Sequence, residues 1–231
     1  MVVHLVECVH SQRGEYLGAT MKTAVLISGQ MRTADRCAAG IRDIYPDATF
    51  VIHAVADHDA DKAFAFKPAV TVIEPQFEIF ERREYSWQMG RGCHGVQRVL
   101  KQLWGLARVW EVFEASGIEA DAVVRMRADL VFTKLPEPPT GVGVHVPKFA
   151  NWWGLNDRFA FGDLQTMRAY FTRAARLDEY IDAGGIFHPE TFLAWAMKGY
   201  AVHRTQAVFS TLRVDGSHDE PVWVFDAGDT A

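Results

Sequence analysis

Cysteine is scarce in this sequence, and basic charge is not in excess. The three cysteines, Cys8, Cys37 and Cys93, lie far apart, form no Cys-x-x-Cys pair and cannot all be paired within one chain. That excludes a disulfide scaffold and suits a reducing, cytoplasmic setting. Lys and Arg number 24 against 29 Asp and Glu, a formal charge of -5. With no surplus of cations to grip a phosphate backbone, a primary role in nucleic-acid binding is excluded, although a local cluster of arginines still suits one small anion. No stretch approaches the ~20 apolar residues of a bilayer-spanning helix, so membrane contact is expected to be peripheral at most. The first ten residues lack a basic leader, and Glu7 and His10 interrupt their apolar run, so no secretory signal is expected there.

What is present is an ordinary globular balance: 231 residues, 49% hydrophobic and 23% charged, enough to bury the core of one α/β domain. Met21-Lys-Thr-Ala-Val-Leu-Ile-Ser-Gly reads like a start that runs straight into a buried strand. Residues 1–20 are therefore expected to be an extension outside the native start, with a short edge strand at 2–9 as the other reading. Residues 21–216 are expected to form the domain and 217–231 a loosely held tail.

Within the domain, the apolar runs Ala24 to Ile27, Thr49 to Val55 and Val70 to Ile73 suit buried parallel strands. Residues 94–115 repeat Val96, Val99, Leu100, Leu103, Leu106, Ala107 and Trp110 at the three-and-four spacing of one buried helix face, stopped by Ser116-Gly117. Strands are predicted over 121–132, 143–147, 159–161, 201–203 and 208–214, with helices over 164–180 and 189–198. Pro189 and Glu190 suit the first turn of the last helix. Strands alternating with helices imply a mostly parallel sheet covered on both faces.

The most informative segment is Val124-Arg125-Met126-Arg127-Ala128-Asp129-Leu130-Val131-Phe132. Alternate residues of a strand share a face, so Arg125, Arg127 and Asp129 are expected on one side and the apolar residues on the other. Three charges ending a buried strand are costly unless they pair with each other or meet a ligand. An internal Arg–Asp bridge and an anion site at the carboxyl edge of the sheet both remain open. The turn after the first strand, Ser28-Gly29-Gln30-Met31-Arg32, is a second candidate: Gly29 for close backbone approach, Gln30 for a base or ribose, Arg32 at a helix start. It is not a Gly-x-Gly-x-x-Gly turn, and no Gly-x-x-x-x-Gly-Lys-Ser/Thr loop occurs, so the classical dinucleotide and P-loop readings lose support.

Together, Ile27-Ser28-Gly29-Gln30-Met31-Arg32-Thr33, Gln102-Leu103-Trp104-Gly105, Arg125-Met126-Arg127-Ala128-Asp129-Leu130 and Asn156-Asp157-Arg158-Phe159 resemble the GT-A glycosyltransferases. The likeness is to the group related to WavE-type lipopolysaccharide synthesis proteins, over roughly residues 22–214. It implies a single-domain GT-A-like α/β fold and transfer of a sugar from a nucleotide-sugar donor to a glycan or lipid-linked acceptor, of the surface-polysaccharide kind. A catalytically silent nucleotide-sugar or glycan-binding domain is the alternative. An enzyme acting on other phosphorylated metabolites is a third reading.

The resemblance places Asp129 where GT-A enzymes carry an Asp-x-Asp that holds a divalent cation, manganese or magnesium, against the donor diphosphate. Only one aspartate stands here, so the metal is in question, and Arg125 or Arg127 suits the leaving diphosphate instead. Asn151-Trp152-Trp153-Gly154-Leu155-Asn156-Asp157-Arg158 is too polar for core yet carries two indoles, which suits a sugar with Trp152, Trp153, Asn156 and Arg158 around it. Asp157 and Glu190 are the preferred general bases, and His188 is expected to border the substrate. His53 and His58 with Asp57, Asp59 and Asp61 are too loosely spaced for a metal centre and read as a solvated loop.

Overall fold

The apolar runs become strands whose polar ends converge on one edge. The computed structural model describes residues 21–76, 78, 79, 95–137 and 141–219; the expected extension at 1–20 with its strand, Cys8 and Cys93, and residues 220–231 of the expected tail lie outside them. In chain order the elements begin with β1 (Thr23–Gly29), α1 (Ala34–Ile44), β2 (Thr49–Val55), a 3₁₀ helix (Ala60–Phe66) and β3 (Val70–Glu74). Then follow α2 (Val96–Ser116), β4 (Ala122–Met126), β5 (Leu130–Lys134), β6 (Val144–Pro147) and β7 (Phe159–Asp163). The chain continues through α3 (Leu164–Phe171), a second 3₁₀ helix (Arg173–Arg176), α4 (Leu177–Asp182), α5 (Pro189–Ala196), β8 (Val202–Thr205), β9 (Val208–Leu212) and β10 (His218–Asp219).

Seven strands form the main sheet in the order β3-β2-β1-β4-β7-β6-β8, and β10-β9-β5 form a small antiparallel sheet. β3, β2, β1 and β4 run parallel, β7 is antiparallel to β4 and β6, and β6 is parallel to β8, so β7 alone runs against the rest. This is the mostly parallel α/β sheet expected. One face packs Val25, Ile27, Ile52, Val124 and Met126 on α1 and the first 3₁₀ helix, and Leu130, Phe209 and Leu212 of the small sheet join the same cluster. The other face packs Ala24, Leu26, Val51 and Val123 on α2, α3 and α5 through Leu106, Val109, Trp110, Met167 and Leu193. Each such large apolar side chain contributes about 1.5–3 kcal/mol on burial. Because the small sheet shares its core with the main one, the whole forms a single domain.

Two expected elements are broken. The strand over 121–132 stops at Met126; Arg127, Ala128 and Asp129 turn, and the chain resumes as β5 in the other sheet. The turn is fixed where the Leu212 N–H donates to the Asp129 carbonyl at 2.8 Å, which hands the chain over to β9. The side assignment nevertheless holds, since Val124, Met126, Ala128 and Leu130 share one core. The helix over 164–180 divides into α3, a 3₁₀ turn and α4. There the Thr172 hydroxyl and its backbone N–H both donate to the Arg168 carbonyl, at 2.8 and 2.9 Å, and Arg173 lies inside at 1% exposure.

Candidate functional site

A cavity of about 530 Å³ opens where β1, β2 and β4 end, the carboxyl edge at which open α/β sheets bind ligands. Ser28, Gly29, Gln30 and Arg32 line it from the turn after β1, His53 and Val55 from β2, and Arg125, Arg127, Ala128 and Asp129 from the end of β4. Gly29 has φ +119, which an L side chain rarely adopts, and a Cβ there would meet nothing within 4 Å. The glycine is thus required by its backbone conformation, and the space beside it is left open.

Opposite the sheet, α2 presents Arg98, Lys101, Gln102 and Gly105 to the cavity. These stand at the same three-and-four spacing as the apolar face, displaced around the helix. Arg158 comes from the segment before β7, and Thr211, Arg213 and Asp219 come from the small sheet. Seven lining residues are therefore cationic and two are acidic, in a chain whose formal charge is -5. Such local concentration creates a positive potential that draws a small polyanion.

Both acids are already gripped. Arg127 meets Asp129 in a bidentate pair, Nε to Oδ1 at 2.8 Å and Nη2 to Oδ2 at 2.6 Å. Burial would raise the Asp129 carboxyl, but the facing Arg127 charge and its hydrogen bonds outweigh it and hold the group below its ordinary range. Arg213 binds both oxygens of Asp219 in the same manner. The sequence left an internal bridge and an anion site as alternatives for this trio; the structure shows the bridge between Arg127 and Asp129 and leaves Arg125 outside it.

Arg125 is 2% exposed, and its Nε and Nη1 have no hydrogen-bond partner among the described residues. It lies on the α2 side of the sheet, paired in register between Leu26 of β1 and Ala160 of β7. Burial disfavours its charge, partly offset by Tyr170 and Asp157 nearby. A guanidinium does not deprotonate in proteins, so this charge sits in the cavity wall at a cost of several kcal/mol until an anion meets it.

Asp157 and Glu190, the expected bases, lie behind that wall. Neither lines the cavity, and they are 5% and 6% exposed. The Gln102 side-chain amide donates to Asp157 Oδ2 at 2.5 Å, and the Tyr170 hydroxyl donates to the Asp157 carbonyl at 3.0 Å. Asp157 is thus one hydrogen bond from the cavity. Burial, reinforced by the Asp157 charge, pushes the Glu190 carboxyl up to about 9. A carboxyl raised that far holds its proton at neutral pH, which weighs against the general-base role expected of it. His188 Nδ1 lies 3.1 Å from Glu190 Oε2 without the alignment of a hydrogen bond, and burial holds the imidazole below its ordinary value.

The tryptophan loop does not line the cavity. Ala150, Trp152 and Trp153 have φ of 51°, 44° and 64°, a left-handed stretch costing of order 1 kcal/mol per residue. Asn156 holds it: fully buried, it donates from Nδ2 to the Phe149 carbonyl and accepts from the Arg158 N–H, both at 2.9 Å. Asn156, expected to border the substrate, thus has a structural task and does not line the cavity. Trp152 packs on the core, and Trp153, at 60% exposure, stands beside the His188 ring with centroids 6.5 Å apart.

A divalent cation at Asp129 would need a carboxylate oxygen, and both belong to Arg127; the residues there do not fit a metal. Away from the cavity, ligating atoms of Asp57, His58 and Asp59 lie within 4.8 Å of one another. This group has the spacing a metal ion would need, yet Asp59 is held by Lys62 at 2.7 Å and His58 at 3.2 Å.

Sequence reasoning missed Gln76, Arg98, Lys101, Thr211, Arg213 and Asp219; Gln102 entered it only as part of a motif, and His53, read as part of a solvated loop, is fully buried in β2. The α2 stripe could have been found by asking why a helix with so clean an apolar face carries a small residue, Gly105, among cations beside it. A Gly-x-Gly-x-x-Gly spacing does occur once, Gly90 to Gly95, and apart from Gly95 it lies outside the described residues.

No protein-family model matches the chain, and no curated protein sequence does. Among solved structures it is similar to a glycosyltransferase involved in the glycosylation of the major capsid of PBCV-1, at TM-score 0.40 and 12% identity over 79% of this chain and 82% of that one. It is also similar to the glycosyltransferase GlyE of Streptococcus pneumoniae TIGR4. The apo form aligns at TM-score 0.39 and 10% identity, and a second structure at 0.38 and 9%; each match covers 79% of this chain and 45% of GlyE. Among the described residues, no helix is long and apolar enough to cross a membrane.

Proposed function

We propose that the protein is a glycosyltransferase that takes a nucleotide-sugar donor in the cationic cavity and transfers the sugar to a glycan or lipid-linked acceptor. The observation that carries this reading is the cavity at the strand ends, where seven cationic side chains gather and, among the described residues, Nε and Nη1 of the buried Arg125 have no hydrogen-bond partner. A nucleoside diphosphate supplies the anion this wall lacks, and the turn at Gly29 and Gln30 offers backbone and amide groups to its base or ribose. The motif resemblance adds the donor class and the surface-polysaccharide kind of acceptor.

In the transfer, the bond between the anomeric carbon and the diphosphate oxygen breaks and its electron pair leaves with the diphosphate. The acceptor oxygen forms the new bond and its hydroxyl proton goes to a base. Asp157 is the carboxylate for that task, because Asp129 and Asp219 are each gripped by an arginine and Glu190 is protonated. Gln102 must release it first.

One observation favours the silent, sugar-binding reading: among the described residues, no carboxylate of the cavity lining is free of an arginine. Thermal-shift and calorimetric screening with uridine, guanosine and cytidine diphosphate sugars, followed by nucleoside diphosphate release, separates the two. Binding with turnover that Asp157→Asn abolishes supports the transferase. Binding without turnover on any acceptor favours the silent domain, and the absence of nucleotide binding removes both.

A further inference from the structure

We propose that the donor diphosphate is neutralised by guanidinium groups and not by a divalent cation, with Arg125 donating to its oxygens. This rests on the nucleotide-sugar reading of the same cavity and adds how the charge is met. Three observations carry it. Both oxygens of Asp129 are occupied by Arg127, and those of Asp219 by Arg213, so among the described residues no lining carboxylate is left to anchor a hard cation. A cation entering would also face a lining in which cationic residues outnumber acidic ones seven to two. Finally, Arg125 lines the cavity at 2% exposure, and among the described residues its buried Nε and Nη1 have no hydrogen-bond partner, so the wall holds an under-satisfied guanidinium, a group suited to phosphate oxygens.

The arrangement explains why a charge is kept in so greasy a place. Arg125 stands on a strand paired on both sides, and its side chain is 2% exposed, so little side-chain freedom is left to lose on binding. The Arg127–Asp129 pair then acts as a fixed, nearly neutral unit at the rim, while Arg125 brings the uncompensated charge. A leaving diphosphate gains negative charge as its bond to the sugar breaks, and a preset cation in a dry wall stabilises that change best.

The test is calorimetric titration of the full chain with inorganic pyrophosphate and with uridine, guanosine and cytidine diphosphates, in excess EDTA and again with manganese or magnesium. The expected result is binding of at least one nucleoside diphosphate in EDTA, with affinity changed by less than about threefold when metal is added, since no metal ligand is free. Arg125→Met should weaken that binding on the order of tenfold or more through loss of a charge-assisted bidentate contact. Its unliganded melting temperature should not fall, because it removes an unpaired buried charge. Should the Met variant fail to fold, Arg125→Lys keeps the charge without the fork and is expected to weaken binding as well.

Nucleotide binding that appears only with metal, or that survives unchanged in the folded Arg125 variants, overturns the proposal and leaves the nucleotide-sugar reading standing. Failure of every diphosphate to bind, with or without metal, overturns both.

Discussion

Arg127 and Asp129 face each other across the turn that ends β4, joined by two parallel hydrogen bonds of 2.8 and 2.6 Å. The pair closes the path a continuing strand would have taken and sends the chain into the small sheet. It also fixes the sign of the cavity rim, for the one carboxylate at that edge is neutralised before any ligand arrives.

Asp129→Asn should therefore cost stability. Breaking the pair leaves Arg127 partly buried and uncompensated, an expected loss of about 1–3 kcal/mol, toward the lower end because Arg127 is 34% exposed. The Asp129 carboxyl titrates below its ordinary value, so its stabilisation is complete above the unfolded value of ~3.9 and is lost as pH falls through the lower folded one. Urea unfolding at neutral pH and below pH 4 should show the difference between wild type and variant shrinking in acid.

Glu190 carries the opposite sign. Its folded carboxyl titrates at about 9 and its unfolded one near ~4.3, so between these values the folded state holds a proton that the unfolded state does not. Wild type should lose stability as pH rises across that window, by at most about 1.4 kcal/mol per pH unit from this group. Glu190→Gln should flatten the dependence and be the more stable form at pH 8, as read by melting temperature against pH.

Gly154 lies against the backbone of α5. A Cβ there would stand 2.0 Å from the Glu190 carbonyl oxygen, and that carbonyl accepts from the Leu155 N–H at 3.1 Å. Backbone cannot yield as a flexible side chain does. Gly154→Ala should lower stability by roughly 3 kcal/mol or more, or leave the protein insoluble, whereas the same change at Gly40, where a Cβ meets nothing within 4 Å, should be tolerated.

Trp153 is exposed and backbone-strained, the profile of a residue kept for contact with something else. Trp153→Ala should change stability by less than about 0.5 kcal/mol. If the indole is a platform for the acceptor sugar, the variant should raise the acceptor KM several-fold while leaving nucleotide diphosphate affinity unchanged, because the tryptophan loop does not line the cavity.

The sequence was most legible where one signal sufficed. The β2 run Thr49 to Val55 is strand throughout, the start of α5 at Pro189 was marked by its proline, and the apolar stripe of α2 marked its buried face, which packs on the sheet through Leu106 and Trp110 and on α4 and α5 through Val99, Leu100 and Leu103. It was least legible where two signals competed. Alternation continued unbroken from Val124 to Phe132, yet β9 captured the second half as partner for β5, and that pairing depends on residues some eighty positions away. The candidate site divided in the same way: Gly29, Gln30, Arg32, Arg125, Arg127, Asp129 and Arg158 meet at the cavity, whereas Asp157, Glu190 and His188 stand behind it.

Local chemistry thus determined the strands, the helical faces and the presence of charges at a strand end, because periodicity and side-chain polarity act over a few residues. Which charges pair, which remain alone, and which carboxylates are sealed away were decided by tertiary structure. Those outcomes depend on distance and burial between segments far apart in the chain: Arg127 found Asp129 two residues away, while Arg125, between two neighbouring strands, found no hydrogen-bond partner for Nε or Nη1.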